Sequence, residues 1–451
     1  MTPGIKRQLL ALLLGGLPAL TMAQTTASPE RHEMSIQQAI DYARQHNVQV
    51  KNALLDLRIQ EQTNREVTGT AYPQLSASGS LTYNYKLPVS LVPAEFFGGA
   101  PGTFQELAFG VKWNATGGVT ISQILFDGQV FTGLQARKTL LDFQEKNIEV
   151  TEQVIRTNIH KIYYQLVVGK TQIELLDANI TRLSKLQHDA QIMYDNGFAE
   201  KLDIDKLNVQ IANLQSEKTS ALNQISNGYL GLKVLMGMPV RDELVLTDTL
   251  SDESIREGLL EATQFDYSQR PDYQYANIGV KLREFDVQRY KLAKLPTLSV
   301  NGYYNKNAQR DEFNFFKSDG RWFNMSAFTL NLNIPIFSGF SSNARIQRAR
   351  LVMEQTVNQR EALKLSIDSE VKTAQNNFAA AITNLDYQKR NMALAESVYE
   401  QTRKKFEVGT GSQTEINAAQ TDLKMAQTNY INAMYNAIIA RVDFMKATGK
   451  L

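Results

Sequence analysis

Four histidines, His32, His46, His160 and His188, are the only imidazoles in 451 residues, and cysteine is absent. The histidines are scattered, with no partner at metal-ligand spacing, and they read as surface or seam residues. Without a thiol the chain has no Cys nucleophile, thiolate metal site or disulfide. Gly409-Thr410-Gly411 begins like a nucleotide loop, but no glycine follows at 414 and no strand is predicted before it. What remains is a set of carboxylates at predicted helix starts. Ser412-Gln413-Thr414-Glu415 fits a capping box, in which serine and glutamate exchange hydrogen bonds with backbone N–H groups. Asp203 and Asp205 fall in the first turn of a helix, where acids complement the macrodipole. This inventory predicts no enzyme, no cofactor and no resident metal.

Charge and address narrow the class further. Lys and Arg number 48 against 46 Asp and Glu, so the chain lacks the basic excess that nucleic-acid binding needs. Residues 1–23 carry Lys6 and Arg7, then an apolar run from Leu9 to Leu20, then Thr21-Met22-Ala23. That is the pattern of a signal peptide with cleavage before Gln24, and Gly15, Gly16 and Pro18 break the run as a spanning helix.

Four period-2 segments follow. Leu75, Ala77, Gly79, Leu81 and Tyr83 alternate with Gln74, Ser76, Ser78, Ser80 and Thr82, and Trp113, Ala115, Gly117, Val119 and Ile121 alternate likewise. In the second half Leu298, Val300 and Gly302, and Phe328, Leu330 and Leu332, repeat the pattern. One face is apolar and the other small and polar, as in a membrane barrel with a wet lumen. Four strands cannot close a barrel, because the smallest known have about eight and an open edge in lipid is prohibitive. Several chains must therefore share one.

The positioning elements are long helices. Ile155, Ile159, Ile162, Leu166, Gly169, Ile173, Leu176, Ile180, Leu183, Gln187, Ala190 and Tyr194 keep an alternating four-and-three spacing, and Ile367 to Phe406 repeat it at an offset of 212. Residues 130–195 give about 100 Å of helix at roughly 1.5 Å per residue. Gly197 and Gly409 stand where each long helix must reverse, with Gly411 two residues beyond the second.

Matches at an offset of 223 before the strand hairpin, residues 71–75 with 294–298, and of 211 to 212 after it, Phe126 with Phe337 and Tyr194 with Phe406, divide the chain into two repeats. The first, 24–236, holds a helix at 36–70, a strand hairpin at 74–86 and 109–126, a long helix at 130–195 and a return helix at 202–236. Residues 237–270 connect the halves, with one short helix expected around 252–264. The second, 271–451, holds a helix, strands at 297–305 and 324–337, a long helix at 341–408 and a return helix at 412–447. The fold class is an α+β membrane protein. A transmembrane β-barrel with four strands per chain continues into a periplasmic α-helical coiled-coil barrel.

With these motifs the chain resembles the TolC family of outer-membrane efflux ducts. The resemblance rests on SIQQAIDYARQHNVQVKNALLDL at 35–57, YPQLSASGSL at 72–81, NIPIFSGFSSNARIQRAR at 333–350 and GTGSQTEINAAQTDLKMAQTNY at 409–430. It implies a homotrimer in the outer membrane of a Gram-negative bacterium, with the helices in the periplasm. A periplasmic adaptor, an inner-membrane pump and outer-membrane lipid are the implied partners. The implied function is the exit duct of a tripartite efflux or type I secretion system. A periplasmic coiled-coil adaptor or adhesin is the alternative, and it would lack the four strands. At the second tip, positions where the family carries tyrosine, arginine and two acids hold Phe406, Gly411, Glu415 and Ala418. Asp203 matches a first-tip acid of the family, and Asp205 adds a carboxylate. Asp203, Asp205 and Glu415 are therefore expected to ring a cation-preferring mouth, with Phe406 and Phe198 as its apolar closure.

Overall fold

The computed structural model describes residues 30–249, 255, 265–317 and 320–451. The expected signal peptide, and the helix expected around 252–264 apart from Ile255, lie outside the described residues. In chain order the elements are β1 (Arg31–Met34), α1 (Ile36–His46), α2 (Val48–Gly69), β2 (Gln74–Tyr83), β3 (Val89–Pro93), β4 (Phe104–Ala108), β5 (Trp113–Phe126), α3 (Gly128–Asp195), α4 (Lys201–Met236), β6 (Glu243–Leu246), α5 (Pro271–Leu292), β7 (Thr297–Arg310), β8 (Phe323–Asn333), α6 (Ser341–Glu407) and α7 (Gln413–Ala447).

The helix expected as one piece over 36–70 is two. Asn47 leaves the helical region at φ −60 and ψ 132. Its side-chain oxygen accepts from the backbone N–H of Gln49 and Val50, while its Nδ2 donates to the carbonyl of Leu235 at 2.6 Å. A buried asparagine satisfied on both sides competes successfully with helix continuation. The hydrophobic period runs through the break, so periodicity alone did not reveal it.

Strands β2, β5, β7 and β8 form one antiparallel sheet in the order β2-β5-β7-β8. In-register rows such as Leu75–Ile121–Gly302–Phe328 hold the apolar face together across strands. On the opposite face Asn307 donates to Asn114 Oδ1 at 3.0 Å and to Thr116 Oγ1 at 2.9 Å. β7 reaches Arg310 rather than ending at 305, whereas β8 stops at Asn333 instead of 337. Pro335 has no N–H for a ladder bond, which accounts for the early stop. The span between β2 and β5, expected as a loop, forms a second hairpin in which β3 pairs with β4.

Among the described residues the four-stranded sheet is covered only at its end farthest from the helices, where Phe315 of the β7–β8 loop packs on Ala115 and Ala308 beside Trp113. Every residue of β2 is exposed, including Leu75 at 75%. Phe328, Leu330 and Leu332 on β8 are exposed as well. Apart from that small cluster, the packed core lies in three clusters along the helices. One joins α1, α3 and α4 around Ile159, Tyr163 and Leu232. A second joins α6 and α7 around Phe378, Leu385 and Phe444. The third, nearest the helix reversals, contains Leu183, Leu207, Tyr399 and Leu423. Complete burial of each such side chain contributes about 1.5–3 kcal/mol. Among the described residues no helix is long and apolar enough to cross a membrane.

Candidate functional site

Helices α3 and α6, of 68 and 67 residues, end in turns built by the same three hydrogen bonds. In the first, Asn196, Gly197 and Phe198 donate to Ile192, Tyr194 and Met193 at 3.2, 2.9 and 2.8 Å. In the second, Val408, Gly409 and Thr410 donate to Lys404, Phe406 and Lys405 at 3.2, 3.0 and 2.9 Å. Gly197 and Gly409 have φ of 80 and 77, the left-handed stop that costs other residues about 1–2 kcal/mol. Gly411 is glycine for a different reason. A Cβ there would come within 3.0 Å of the Phe406 nitrogen and 3.2 Å of Lys405.

The carboxylates differ in what they already do. Glu415 is exposed and closes a capping box, accepting from the Ser412 N–H at 3.5 Å while its own N–H donates to Ser412 Oγ at 3.2 Å. Asp203 is half-buried in the first turn of α4, with Lys206 Nζ 3.6 Å away. Asp205 is exposed. Among the described residues no three His, Asp or Glu side chains gather closely enough to hold a metal ion.

The two aromatics also separate. Phe198 is 85% exposed at the first turn. Phe406 instead packs against the cluster that contains Leu186 and Tyr399, and it lines a cavity of about 300 Å³ with Arg182, Arg403 and Glu407. Phe406 is half-buried and engaged within the chain, whereas Phe198 is the more exposed aromatic of the pair. His160 faces Arg156 and Arg441, and burial together with those two cations pushes its imidazole down to about 4. It is neutral at ordinary pH and suits a seam, not proton transfer.

Two polar groups went unnoticed in the sequence. Asn179, Gln420 and Gln427 are nearly fully buried where α3 meets α7. Asn179 Nδ2 donates to Gln427 Oε1 at 2.7 Å and its Oδ1 accepts from Gln420 Nε2 at 3.0 Å. The seven-residue spacing of Gln420 and Gln427 was the available signal, one polar stripe on an apolar heptad seam. The second is Arg270, which caps α5 just before Pro271 and pairs with Asp272 and Glu370.

The family model for outer membrane efflux proteins matches residues 267–450. The chain is 21% identical over 348 residues to the outer membrane protein TolC of Vibrio cholerae, covering 74% of this chain and 76% of that one. It is 19% identical to TolC of Escherichia coli, with 98% of this chain and 86% of that one aligned. Among solved structures it resembles CusC with a TM-score of 0.76 at 16% identity, covering 92% of each chain. The outer membrane protein VceC of Vibrio cholerae gives a TM-score of 0.71 at 16% identity, covering 92% of this chain and 96% of that one.

Proposed function

We infer, from the premise that this chain belongs to the TolC family of outer-membrane efflux proteins, the work that its two ends perform. It is an outer-membrane efflux channel of a Gram-negative bacterium, and not an adaptor. The finer reading is a homotrimer in which three four-stranded sheets close one barrel and the helices continue it as a periplasmic tunnel. The observation that supports this reading is the largely exposed sheet, apolar on one face, with β2 and β8 as free edges. Free edges are forbidden in hydrocarbon, whereas pairing β8 of one copy with β2 of the next leaves none. Two tandem repeats account for the shared hydrogen-bond pattern of the tips and for the recurring order of elements.

No nucleotide site or acid–base pair was found in the sequence, so transport energy comes from an inner-membrane pump reached through a periplasmic adaptor. The helix tips form the mouth that faces them. Threefold repetition brings Asp203, Asp205 and Glu415 toward one axis, where clustered carboxylates favour cations and repel one another. Phe198, free in the single chain, supplies apolar closure. In planar bilayers the double variant Asp203→Asn with Asp205→Asn is expected to lose cation preference and block by divalent ions. Unchanged selectivity would mean that these acids serve their helix starts alone.

A further inference from the structure

The hairpin of β3 and β4 is left unexplained by a duct that needs only four strands per chain. It leaves the ends of β2 and β5 farthest from the helices, beyond the pair Tyr83–Trp113. Its two faces are unequal. Val92 and Leu107 are half-buried, whereas Val89, Leu91 and Phe104 on the other face are exposed. The turn adds exposed Phe96 and Phe97. A two-stranded hairpin with an apolar face open to water is marginal by itself.

Charge narrows what covers that face. Residues 87–111 contain no Lys or Arg, and their only ionised groups are Glu95 and Glu106. Such a segment is unsuited to an anionic headgroup layer, which recruits basic residues. Topology supplies a better occupant. β2 is one edge of the sheet and β8 the other, and β8 begins at Phe323, at the same end as Tyr83. If copies join edge to edge, the β7–β8 loop of one copy rises beside the β3–β4 hairpin of the next. In that loop Phe313 and Phe315 pack on Trp113, Ala115 and Ala308 of the same chain, which leaves Phe316, 92% exposed, with exposed Lys317 and Arg321, and Phe323 follows as the exposed first residue of β8. Apolar surface then meets apolar surface, and the two glutamates meet cations.

We propose that the apolar face of the β3–β4 hairpin docks on the β7–β8 loop of a second copy of this chain, forming an interchain collar above the barrel. The inference rests on the shared-barrel reading, and the test separates the two. Because the chain has no cysteine, introduced pairs report without background. One pair, Ser78→Cys with Thr329→Cys, monitors the joined sheet edges. The other, Leu91→Cys with Phe323→Cys, monitors the collar. Each is treated in intact outer membranes with a bis-maleimide long enough to tolerate a small register offset. Covalent trimers from both pairs, with none from any single variant, are the expected result. Links from the edge pair alone would overturn the collar and leave the barrel standing, with the hairpin covered by something else. Failure of the edge pair, whatever the collar pair does, would overturn the barrel reading and the collar with it. As a second measurement, Leu91→Ser with Phe104→Ser should lower the temperature at which detergent-extracted trimers dissociate, with single-channel conductance retained. An unchanged dissociation temperature would count against the collar.

Discussion

The two joints at which a helix packs on the end of a return helix solve one problem with different chemistry. In the first half Asn47, the cap of α2, donates to the carbonyl of Leu235 near the end of α4 at 2.6 Å. In the second half Arg270, the cap of α5, donates to the carbonyl of Ala447 at the end of α7 at 3.0 Å. The following glycines, Gly237 and Gly449, rest against the backbone carbonyls of His46 and Gln269 in the same way. The neutral joint is complete within its own side-chain amide. The charged one needs Asp272 at 2.7 Å and Glu370 at 2.8 Å, and Glu370 is further held by Lys446 at 3.1 Å. The same backbone requirement can thus be met by an isolated amide or by an ion network. Only the second should respond to acid and to loss of a partner.

Breaking the charged joint should cost most. Arg270→Ala takes the ion partner from Asp272, leaves Glu370 with Lys446 alone and strips the Ala447 carbonyl of its side-chain donor; about 3 kcal/mol is expected, the low end for a broken buried pair because its partners are part-exposed. The fall in the unfolding midpoint of the helical signal in detergent measures it. Asn47→Ala removes a cap and leaves the Leu235 carbonyl without its side-chain donor, for an expected loss of about 1–2 kcal/mol by the same measurement. If the two variants cost the same, the difference in chemistry has no energetic consequence.

Smaller effects sharpen the contrast. Burial pushes the Glu370 carboxyl up, but hydrogen bonds and charge from Arg270 and Lys446 outweigh it and hold the group below the usual glutamate range. A depressed carboxylate stabilises the fold above its unfolded pKa, and that contribution disappears as pH falls through the folded value. Stability should therefore decline below about pH 4.3, the ordinary glutamate range. Glu370→Gln should flatten part of that decline, whereas Asn47→Ala should leave its slope unchanged. At the second tip Ser412→Ala should cost about 1 kcal/mol through loss of the capping box. Proteolysis near residue 412 should increase with it.

How much of this was legible depends on the kind of signal. The long helices and the four principal strands have regular periods, and the glycines at 197 and 409 mark reversals that few other residues accept. Asn47 was hidden because a single capping residue does not disturb the surrounding hydrophobic pattern. Pro335 was visible, yet the apolar residues around it still read as strand. The acids of the mouth were identifiable by type, but whether Asp203 and Glu415 face a pore depends on neighbours that one sequence does not position. For Phe406 a seam aromatic and a gate aromatic share the same spacing, so its position in the sequence does not separate the two roles. Arg270 and Asn179 are long-range groups whose partners lie 100 and 248 residues away, at Glu370 and Gln427, beyond any local motif.

The central claim is that several copies of this chain close one barrel, since four strands with free edges cannot stand alone in lipid. Native mass measurement on protein extracted from outer membranes in mild detergent tests it most directly. The account predicts a particle of three chains that retains both its strand and its helix signals. A folded, membrane-inserted monomer would contradict it.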